Sequence, residues 1–413
     1  MKFAMNKPLK FCMVTTFYPP YSFGGDAMHI YRLTNELAKR GHFVDVFHCV
    51  DAYRVLEKNA PTGEYPNHPN VKVTRLKSRA GFLSPLLTQQ TGVPFFKKEL
   101  TDALSNNNYD VIHYHNMSLI GITALGYGSK AVKLYTTHEH WLVCPMHILW
   151  KYNREVCQQK DCLKCQIAGK RPPQMWRYTG LLEKSLRHID CFISPSKFTL
   201  NKHLESGLDI PITVIPHFIQ MPEENFTLSE SDTMRPFFLF VGRLEKIKGL
   251  QNVIPIFKER PDFDLLIAGD GDYKKPLIDL AGDKTNIKFI GRLDQNRLQN
   301  LYQNARAVIV PSICYETFGI IVIEAFSMRT PVIVNNLGAL PETVEDSGGG
   351  FIYNNPTELM DAIVELVQNS TLRDELGNKG YAAFLKYWNE DAHLTQYFDL
   401  IEKIQRQKIQ RQK

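Results

Sequence analysis

Short apolar runs alternate with amphipathic stretches along most of this 413-residue chain. In the first half, runs rich in β-branched and aromatic residues predict strands at 11–17, 43–49, 71–76, 110–116, 131–139, 190–196 and 212–218. Helical periodicity lies between them, for example at 29–41, and supplies crossovers long enough to join parallel strands. The pattern predicts an α/β fold with a parallel, doubly wound sheet.

The alternation stops at a polar, proline-containing stretch, 219–236, whose composition is typical of a linker. It then restarts with predicted strands at 237–244, 263–271, 287–293, 305–312, 331–336 and 350–354. We therefore predict a Rossmann-like domain over 1–218, a second one over 237–390, and a C-terminal helix over 391–413 that packs back towards the first domain. Because ligands bind beyond the carboxyl ends of strands in open α/β sheets, we expect the two domains to face a cleft lined by the loops that follow strands.

The composition narrows the class of protein. Hydrophobic residues at 44% and charged residues at 22% describe a globular chain with a sizeable core. The net charge of +6 is too small for this length to indicate nucleic-acid binding, although it suits an enzyme that handles phosphates or works near anionic lipid. Without a long apolar run or a signal-peptide pattern, we expect a cytoplasmic protein, with peripheral contact at the inner face of the membrane as an option.

Two glutamates stand eight positions apart in the apolar stretch YETFGIIVIEAF, residues 315–326. On one helix they would be rotated about 80° apart and separated by roughly 12 Å, so they could not share a proton or a metal. We predict that Glu316 lies in the loop after strand 305–312 and that a helix starts near Phe318 or Gly319, with Glu324 on its early turns. The carboxylates would then hold separate points of one long ligand, whereas the alternative is a solvated helix flank.

Two other loops after strands carry groups suited to an anion. Gly24 and Gly25 precede the first helix and let backbone amides approach a phosphate or sugar, or they form only a turn. Arg243 and Lys248, in VGRLEKIKG, combine a guanidinium with an ammonium and suit a diphosphate that would otherwise need a divalent cation.

Histidine and aspartate provide further candidates. His138 directly follows the predicted strand of 131–139 and could donate to, or orient, a substrate hydroxyl. His140 is placed equally well, and we prefer His138. The Asp270-Gly-Asp272 sequence is interpreted as a turn between a strand and a helix, so no metal is assigned there.

Together with the motifs VGRLEKIKG, IAGDG and FIGRL, the E-x7-E spacing of Glu316 and Glu324 resembles retaining glycosyltransferases of family 4, which have the GT-B fold. The resemblance runs from the first strand to the last helix and is strongest over 237–350. It implies that Glu316 contacts hydroxyls of the donor sugar and that Glu324 accepts hydrogen bonds from the ribose. Arg243 and Lys248 would clamp the diphosphate.

The resemblance also implies roles for other groups at the donor site. The backbone amides of Phe318, Gly319 and Ile320 would contact the sugar and phosphate, and Arg292 and Leu293 would lie near the base. Gly25, with Gly24, would close over the diphosphate, while His138 would match the active-site histidine of the family.

The implied reaction moves a sugar with retention from a nucleoside-diphosphate sugar, a UDP- or GDP-sugar, to an acceptor hydroxyl on a glycan or lipid-linked molecule. The diphosphate leaves and the acceptor attacks the same face, without a catalytic metal or a covalent nucleophile. The alternatives are a nucleotide-sugar epimerase or phosphorylase of the same architecture and a nucleotide-sugar-binding protein without turnover. A dinucleotide oxidoreductase is disfavoured because GxGxxG is missing.

Four cysteines cluster in 144–166: Cys144, Cys157, Cys162 and Cys165. A subset of these transferases has a similar pattern. C-x12-C-x4-C-x2-C offers four thiolates, so we expect a structural zinc site, with an iron–sulfur cluster as the second choice and four free thiols as the alternative.

Residues 78–100 mix basic ends with aromatic and leucine side chains. They are a candidate contact for a lipid-linked acceptor or a membrane surface, or a loop and helix packed on their own domain.

Overall fold

The computed structural model describes residues 7–57, 59–128, 130–222 and 235–412. It divides into two compact units, one comprising residues up to Ile215 together with His393–Lys413 and the other comprising Pro216–Ala392. Most of the predicted linker, 223–234, lies outside the described residues. At its start, Ile219 is buried and donates its N–H to the carbonyl of Trp388, so this residue belongs to the folded second unit.

The first unit is built on a seven-stranded parallel sheet with the order β3-β2-β1-β4-β5-β8-β9. Its strands, with a small antiparallel hairpin β6-β7, are β1 (Lys10–Val14), β2 (Phe43–Cys49), β3 (Val71–Leu76), β4 (Val111–Tyr114), β5 (Val132–Thr136), β6 (Trp150–Lys151), β7 (Glu155–Val156), β8 (Cys191–Ser194) and β9 (Ile212–Val214). The helices are α1 (Gly25–Lys39), α2 (Val50–Leu56), α3 (Leu83–Thr91), α4 (Lys98–Asn106), α5 (Cys162–Ala168), α6 (Leu181–Leu186) and α7 (Lys197–Glu205).

The second unit repeats this architecture with a six-stranded parallel sheet of order β12-β11-β10-β13-β14-β15. Its strands are β10 (Phe237–Val241), β11 (Asp264–Ala268), β12 (Ile287–Gly291), β13 (Val308–Val310), β14 (Val332–Asn335) and β15 (Gly350–Tyr353). The helices are α8 (Leu250–Lys258), α9 (Lys274–Ala281), α10 (Gln295–Asn304), α11 (Ile320–Ser327), α12 (Leu340–Ser347), α13 (Pro356–Gln368) and α14 (Ser370–Ala383), followed by a π-helical turn (Phe384–Trp388) and α15 (Glu390–Gln412).

The sequence of β10 explains why this sheet is covered on both faces. Phe238 and Phe240 belong to one hydrophobic cluster, and Phe237 and Leu239 belong to another on the opposite face. Because side chains alternate across a strand, a strand buried on both faces reads as a continuous apolar run. Each strand predicted from such a run is present in one of the two large sheets.

The strand order reverses between β1 and β4 in the first sheet and between β10 and β13 in the second. At such a topological switch point the loops beyond the carboxyl ends diverge and leave a crevice for a ligand. The loops after these strands are therefore the first place to look for a functional site.

The part of α15 from His393 onward groups with the first unit. Tyr397 stacks on Phe11 and hydrogen-bonds His113, and the Lys408 ammonium donates to the carbonyl of Ala131. The last helix therefore covers the sheet that begins the chain.

Candidate functional site

Glycine lets the two loops at the switch point of the second unit approach each other closely. Gly249 has φ +79°, and a Cβ there would lie 1.8 Å from the carbonyl oxygen of Pro311. The N–H of Ile313 donates to the carbonyl of Ile247 at 2.8 Å. The loop after β10 is thereby fastened to the loop after β13, which brings Lys248 and Glu316 together.

Lys248 and Glu316 form an ion pair of 2.7 Å between Nζ and Oε1. The Ser312 hydroxyl donates to the same Oε1 at 2.6 Å. Burial acts to raise the pKa of the Glu316 carboxyl, but the Lys248 charge and the Ser312 hydrogen bond outweigh it and lower the pKa. Burial likewise opposes the charge of Lys248, and Glu316 raises its pKa nonetheless. Both groups are therefore charged at neutral pH, and both of these contacts use Oε1 of Glu316.

Arg243 lies on the same loop as Lys248 but is more open to solvent, with 57% of its side chain exposed and a 3.0 Å ion pair to Glu245. Its charge contributes to the lowered pKa of Glu316. The structure thus places Arg243, Lys248 and Glu316 on the two loops that follow β10 and β13. The sequence predicted that Arg243 and Lys248 would clamp a diphosphate, whereas in the structure Lys248 already forms an ion pair with Glu316.

The segment after Glu316 turns into α11 through Gly319, which has φ +85° and would place a Cβ 2.5 Å from Leu340. The helix begins at Ile320, one residue beyond the predicted start. Phe318 is buried against the ring of His217, at 5.3 Å between centroids, so its side chain is part of the packing and only its backbone is left for a ligand.

Glu324 is on the second turn of α11, and its Oε2 accepts a 3.0 Å hydrogen bond from the Tyr302 hydroxyl. Tyr302 is not among the partners of Glu316 described above, and the separate roles of the two carboxylates remain a prediction. Tyr302 was not among the residues selected from the sequence, and nothing in its helix α10 distinguishes it from a core tyrosine.

Arg292 and Leu293 follow β12. Arg292 is exposed and Leu293 packs partly against the core. Asp270 accepts the N–H of Gly271 at 3.0 Å and lies 3.5 Å from Lys274, as expected for a turn that starts a helix.

In the first unit, Gly24 precedes α1 and Gly25 is its first residue. The φ of Gly24 is −166°, which any residue adopts, and the nearest atom to an added Cβ would be Asp26 Oδ1 at an ordinary 3.6 Å. The fold therefore does not require glycine at position 24.

His138 follows β5 and is almost buried at 8% exposure. Its Nε2 shares a 2.9 Å hydrogen bond with Nδ1 of His115, and its ring meets that of His29 edge-on at 5.5 Å. Burial, reinforced by the charge of His393, lowers the pKa of His138 to about 3, so its imidazole is neutral at physiological pH.

His140 belongs to a different environment. Its ring stacks on His203 of α7 at 5.7 Å, and burial, with His203 and Lys202, lowers its pKa to about 3. The two sequence candidates therefore separate: His138 joins a cluster beyond β4 and β5, while His140 packs under α7.

The rest of that cluster was missed. His113 hydrogen-bonds Thr136 and Tyr397 at 2.8 and 2.9 Å, and its ring lies 4.0 Å from that of His115. The available signal was the His-x-His spacing of 113 and 115, because residues two apart on a strand share a face.

The four predicted metal ligands line one small pocket. In the described ranges, however, no group of three or more His, Cys, Asp or Glu side chains is arranged to hold a metal ion as it stands. The described part of the chain also contains no helix that is long and apolar enough to cross a bilayer.

Comparison with known proteins identifies both halves. A family model described as "Glycosyltransferase Family 4" matches residues 23–221, and one described as "Glycosyl transferases group 1" matches residues 222–383. The chain belongs to the glycosyltransferases of family 4 with the GT-B fold.

Two relatives match over nearly their whole length. An uncharacterized glycosyltransferase of Methanocaldococcus jannaschii is 26% identical over 90% of this chain and 92% of its own. The O-antigen chain mannosyltransferase C of Escherichia coli is 23% identical over 93% of this chain and 95% of its own. Among solved structures, Anabaena HepE in complex with UDP-glucose superposes with a TM-score of 0.66 at 17% identity, covering 96% of this chain and all of the other. These comparisons confirm the fold and the transfer of sugars as the class of activity.

Proposed function

We propose that this glycosyltransferase moves a hexose from a nucleoside-diphosphate sugar to an acceptor hydroxyl with retention of anomeric configuration. The observation that carries the proposal is the Lys248–Glu316 ion pair at the switch point of the second sheet. A cation and an anion held 2.7 Å apart suit a ligand that has a doubly charged diphosphate next to a hydroxyl-rich sugar.

In this proposal the bases stabilise the leaving group. The Lys248 ammonium and the exposed Arg243 guanidinium offset the charge that develops on the diphosphate as its bond to the anomeric carbon breaks. They take the place of a divalent cation, so we propose no catalytic metal. Adding Mg²⁺ or Mn²⁺ to EDTA-treated enzyme is expected to leave turnover unchanged.

Glu316 binds the sugar. Lys248 and Ser312 hold Oε1 at 2.7 and 2.6 Å, and Oε2 then accepts from a sugar hydroxyl. The acceptor oxygen attacks the anomeric carbon on the face that the diphosphate leaves. The acceptor's proton passes to an oxygen of the departing diphosphate, so no protein nucleophile is used.

Groups around this centre bind the rest of the donor. Glu324, oriented by Tyr302, receives the ribose hydroxyls, and the exposed Arg292 and neighbouring Leu293 lie beside the base. The backbone amides of residues 318–320 lie at the start of α11, where the helix dipole favours the phosphate.

The first unit contributes two further groups. For Gly24 the proposal rests on the resemblance alone, because its backbone conformation and surroundings would also accept a side chain. His138, whose pKa is about 3, acts as a neutral imidazole that hydrogen-bonds the sugar and does not supply positive charge.

For the acceptor we propose a glycan or lipid-linked molecule, with peripheral contact of the protein at the inner face of the membrane. The support is a group of exposed apolar side chains on the first unit, among them Leu56, Phe82 and Phe96, with exposures of 60%, 65% and 57%. Lys97 does not join a basic patch there. It is buried and donates to Thr88 at 2.8 Å, so it stabilises the segment from inside. Binding to anionic vesicles at low salt tests the contact.

The function is tested by incubating the full chain with radiolabelled UDP-, GDP- and ADP-sugars and extract acceptors. Formation of a labelled glycoside with stoichiometric release of nucleoside diphosphate supports the proposal, and NMR of the new linkage reports its configuration. Donor consumed without an acceptor would indicate epimerisation or hydrolysis. Binding without consumption would leave a sugar-nucleotide-binding protein.

A further inference from the structure

We propose that Cys144, Cys157, Cys162 and Cys165 bind a single Zn²⁺ ion that orders the loop after β5. The four cysteines are free thiols separated by up to twenty-one positions, yet they line one pocket. The cysteines belong to the first unit, whereas the Lys248–Glu316 pair belongs to the second, so the two sites share no residue.

The four cysteines come from three local elements that converge on the pocket. Cys144 lies in the turn after His140, and Cys157 directly follows strand β7 of the hairpin. Cys162 and Cys165 are the first and fourth residues of α5, a spacing that places both on one side of the helix. A turn, a hairpin and a helical CxxC supplying four thiolates form a ligand set that tetrahedral zinc accepts.

A backbone N–H points at one of the sulfurs. The N–H of Tyr152 donates to Sγ of Cys165 at 3.4 Å. A neutral thiol is a weak acceptor, whereas a metal-bound thiolate gains from such a donor and is oriented by it. Cys165 therefore already has a donor that a bound thiolate would use.

The segment also contains an unusual amount of backbone strain. Five of the seven non-glycine residues with positive φ in the described ranges fall between 147 and 170, namely His147, Leu149, Tyr152, Asn153 and Lys170. Such conformations cost about 1 kcal/mol or more each and persist only where other interactions impose them. The two-residue strands β6 and β7 offer few hydrogen bonds to offset this strain. Bonds from four thiolates to a metal would supply the stabilising free energy that the strained backbone needs.

The pocket is small. It encloses about 10 Å³, which is close to the volume that one water molecule needs. In the described ranges the sulfurs do not already form a metal-ready group, so binding requires them to move inward to about 2.3 Å from the ion.

The site would position the loop that bears His138. The N–H of Cys144 donates to the carbonyl of His140 at 2.7 Å, and the N–H of His140 donates to the carbonyl of His147 at 2.9 Å. His147 is also 2.8 Å from the carboxylate of Glu139. Ordering Cys144 thus fixes the backbone directly after His138.

Metal analysis of the full chain, purified under reducing conditions without chelator, tests the proposal. We expect about one zinc per chain and no iron. Cys157→Ser and Cys162→Ser should each lower the zinc content severalfold, while Cys191→Ala, at a buried cysteine in β8 outside the pocket, should leave it unchanged. Hydrogen exchange after removal of zinc should rise in 139–170 and remain as before in the second unit.

A second measurement on the unmodified chain covers the case in which a substitution unfolds the segment. Reconstitution with Co²⁺ should give the intense thiolate-to-cobalt absorption of a tetrahedral site. Folded protein without zinc, iron with acid-labile sulfide, a disulfide between these cysteines, or full zinc content in Cys162→Ser would each overturn the proposal.

Discussion

The two units share a parallel-sheet architecture but place opposite chemistry in the loops that follow their strands. In the second unit the loops after β10 and β13 present the charged pair of Lys248 and Glu316. In the first unit the loops after β4 and β5 bring together His115 and His138, and burial lowers the pKa of His138 to about 3. The strand order thus determines where a site forms, and the side chains after the strands determine what it binds.

The distribution of histidines also differs between the two units. Of the 13 histidines in the chain, all but His217 lie in the first unit. Burial lowers the pKa of His48, His138 and His140 to about 3 each. These three buried histidines of the first unit are therefore neutral, whereas Lys248 and Glu316 of the second unit are both charged, so the two units should respond differently to substitution and to acid.

The largest effect is expected from removing the charge of the second site. Glu316→Gln leaves Lys248 without its counter-ion and weakens the contact to the sugar, so kcat/KM should fall about 100- to 1,000-fold. The fold should remain, because both side chains lie in loops. Asp262→Asn, which breaks the exposed pair with Arg260, is the matched control and should keep activity. A loss of stability with kcat/KM unchanged would instead indicate a structural role.

The second-largest effect is expected at Gly249, where the loop after β10 approaches the loop after β13. Gly249→Ala should destabilise the second unit by about 4 kcal/mol or more, because the new Cβ would lie 1.8 Å from a backbone oxygen at φ +79°. Gly348→Ala has a similar φ of +63° in the same left-handed helical region, but the nearest atom to its new Cβ is on a flexible lysine side chain at 3.7 Å, so about 1 kcal/mol is expected. Unit-resolved hydrogen exchange measures both. Equal losses of stability in the two variants would show that the backbone around Pro311 moves easily to accommodate the new Cβ.

Acid should distinguish the units. Because the pKa values of His48, His138 and His140 are depressed in the folded state, the unfolded chain binds more protons between about pH 6.5 and 3. The stability they contribute is complete above about pH 6.5 and is lost as pH falls, by about 1 kcal/mol per group over the first unit of pH. As pH falls, the protection of backbone amides from hydrogen exchange should therefore decline in the first unit before it declines in the second. Loss of protection in both units at the same pH would contradict this prediction.

The sequence predicted much of this architecture because strands buried on both faces and the loops after them have strong local signals. The position of Glu316 in a loop and of Glu324 on the following helix also followed from local pattern. The Lys248–Glu316 pair could not be predicted, because it depends on the close approach at Gly249 across sixty-eight positions. The cluster around His138 was missed for the same reason, since α1, β4 and α15 supply its other members.

The smallest effect should come from Tyr302, whose hydroxyl donates to Glu324. Tyr302→Phe removes one hydrogen bond, worth about 1 kcal/mol, and should weaken binding of the nucleoside diphosphate a few-fold. If Glu324 binds the ribose, the affinity for free nucleoside diphosphate and the affinity for the intact donor should fall equally, and kcat should be unchanged. If Glu324 bound the sugar instead, only the affinity for the intact donor would fall. Calorimetry with both ligands therefore assigns the two carboxylates to their parts of the donor.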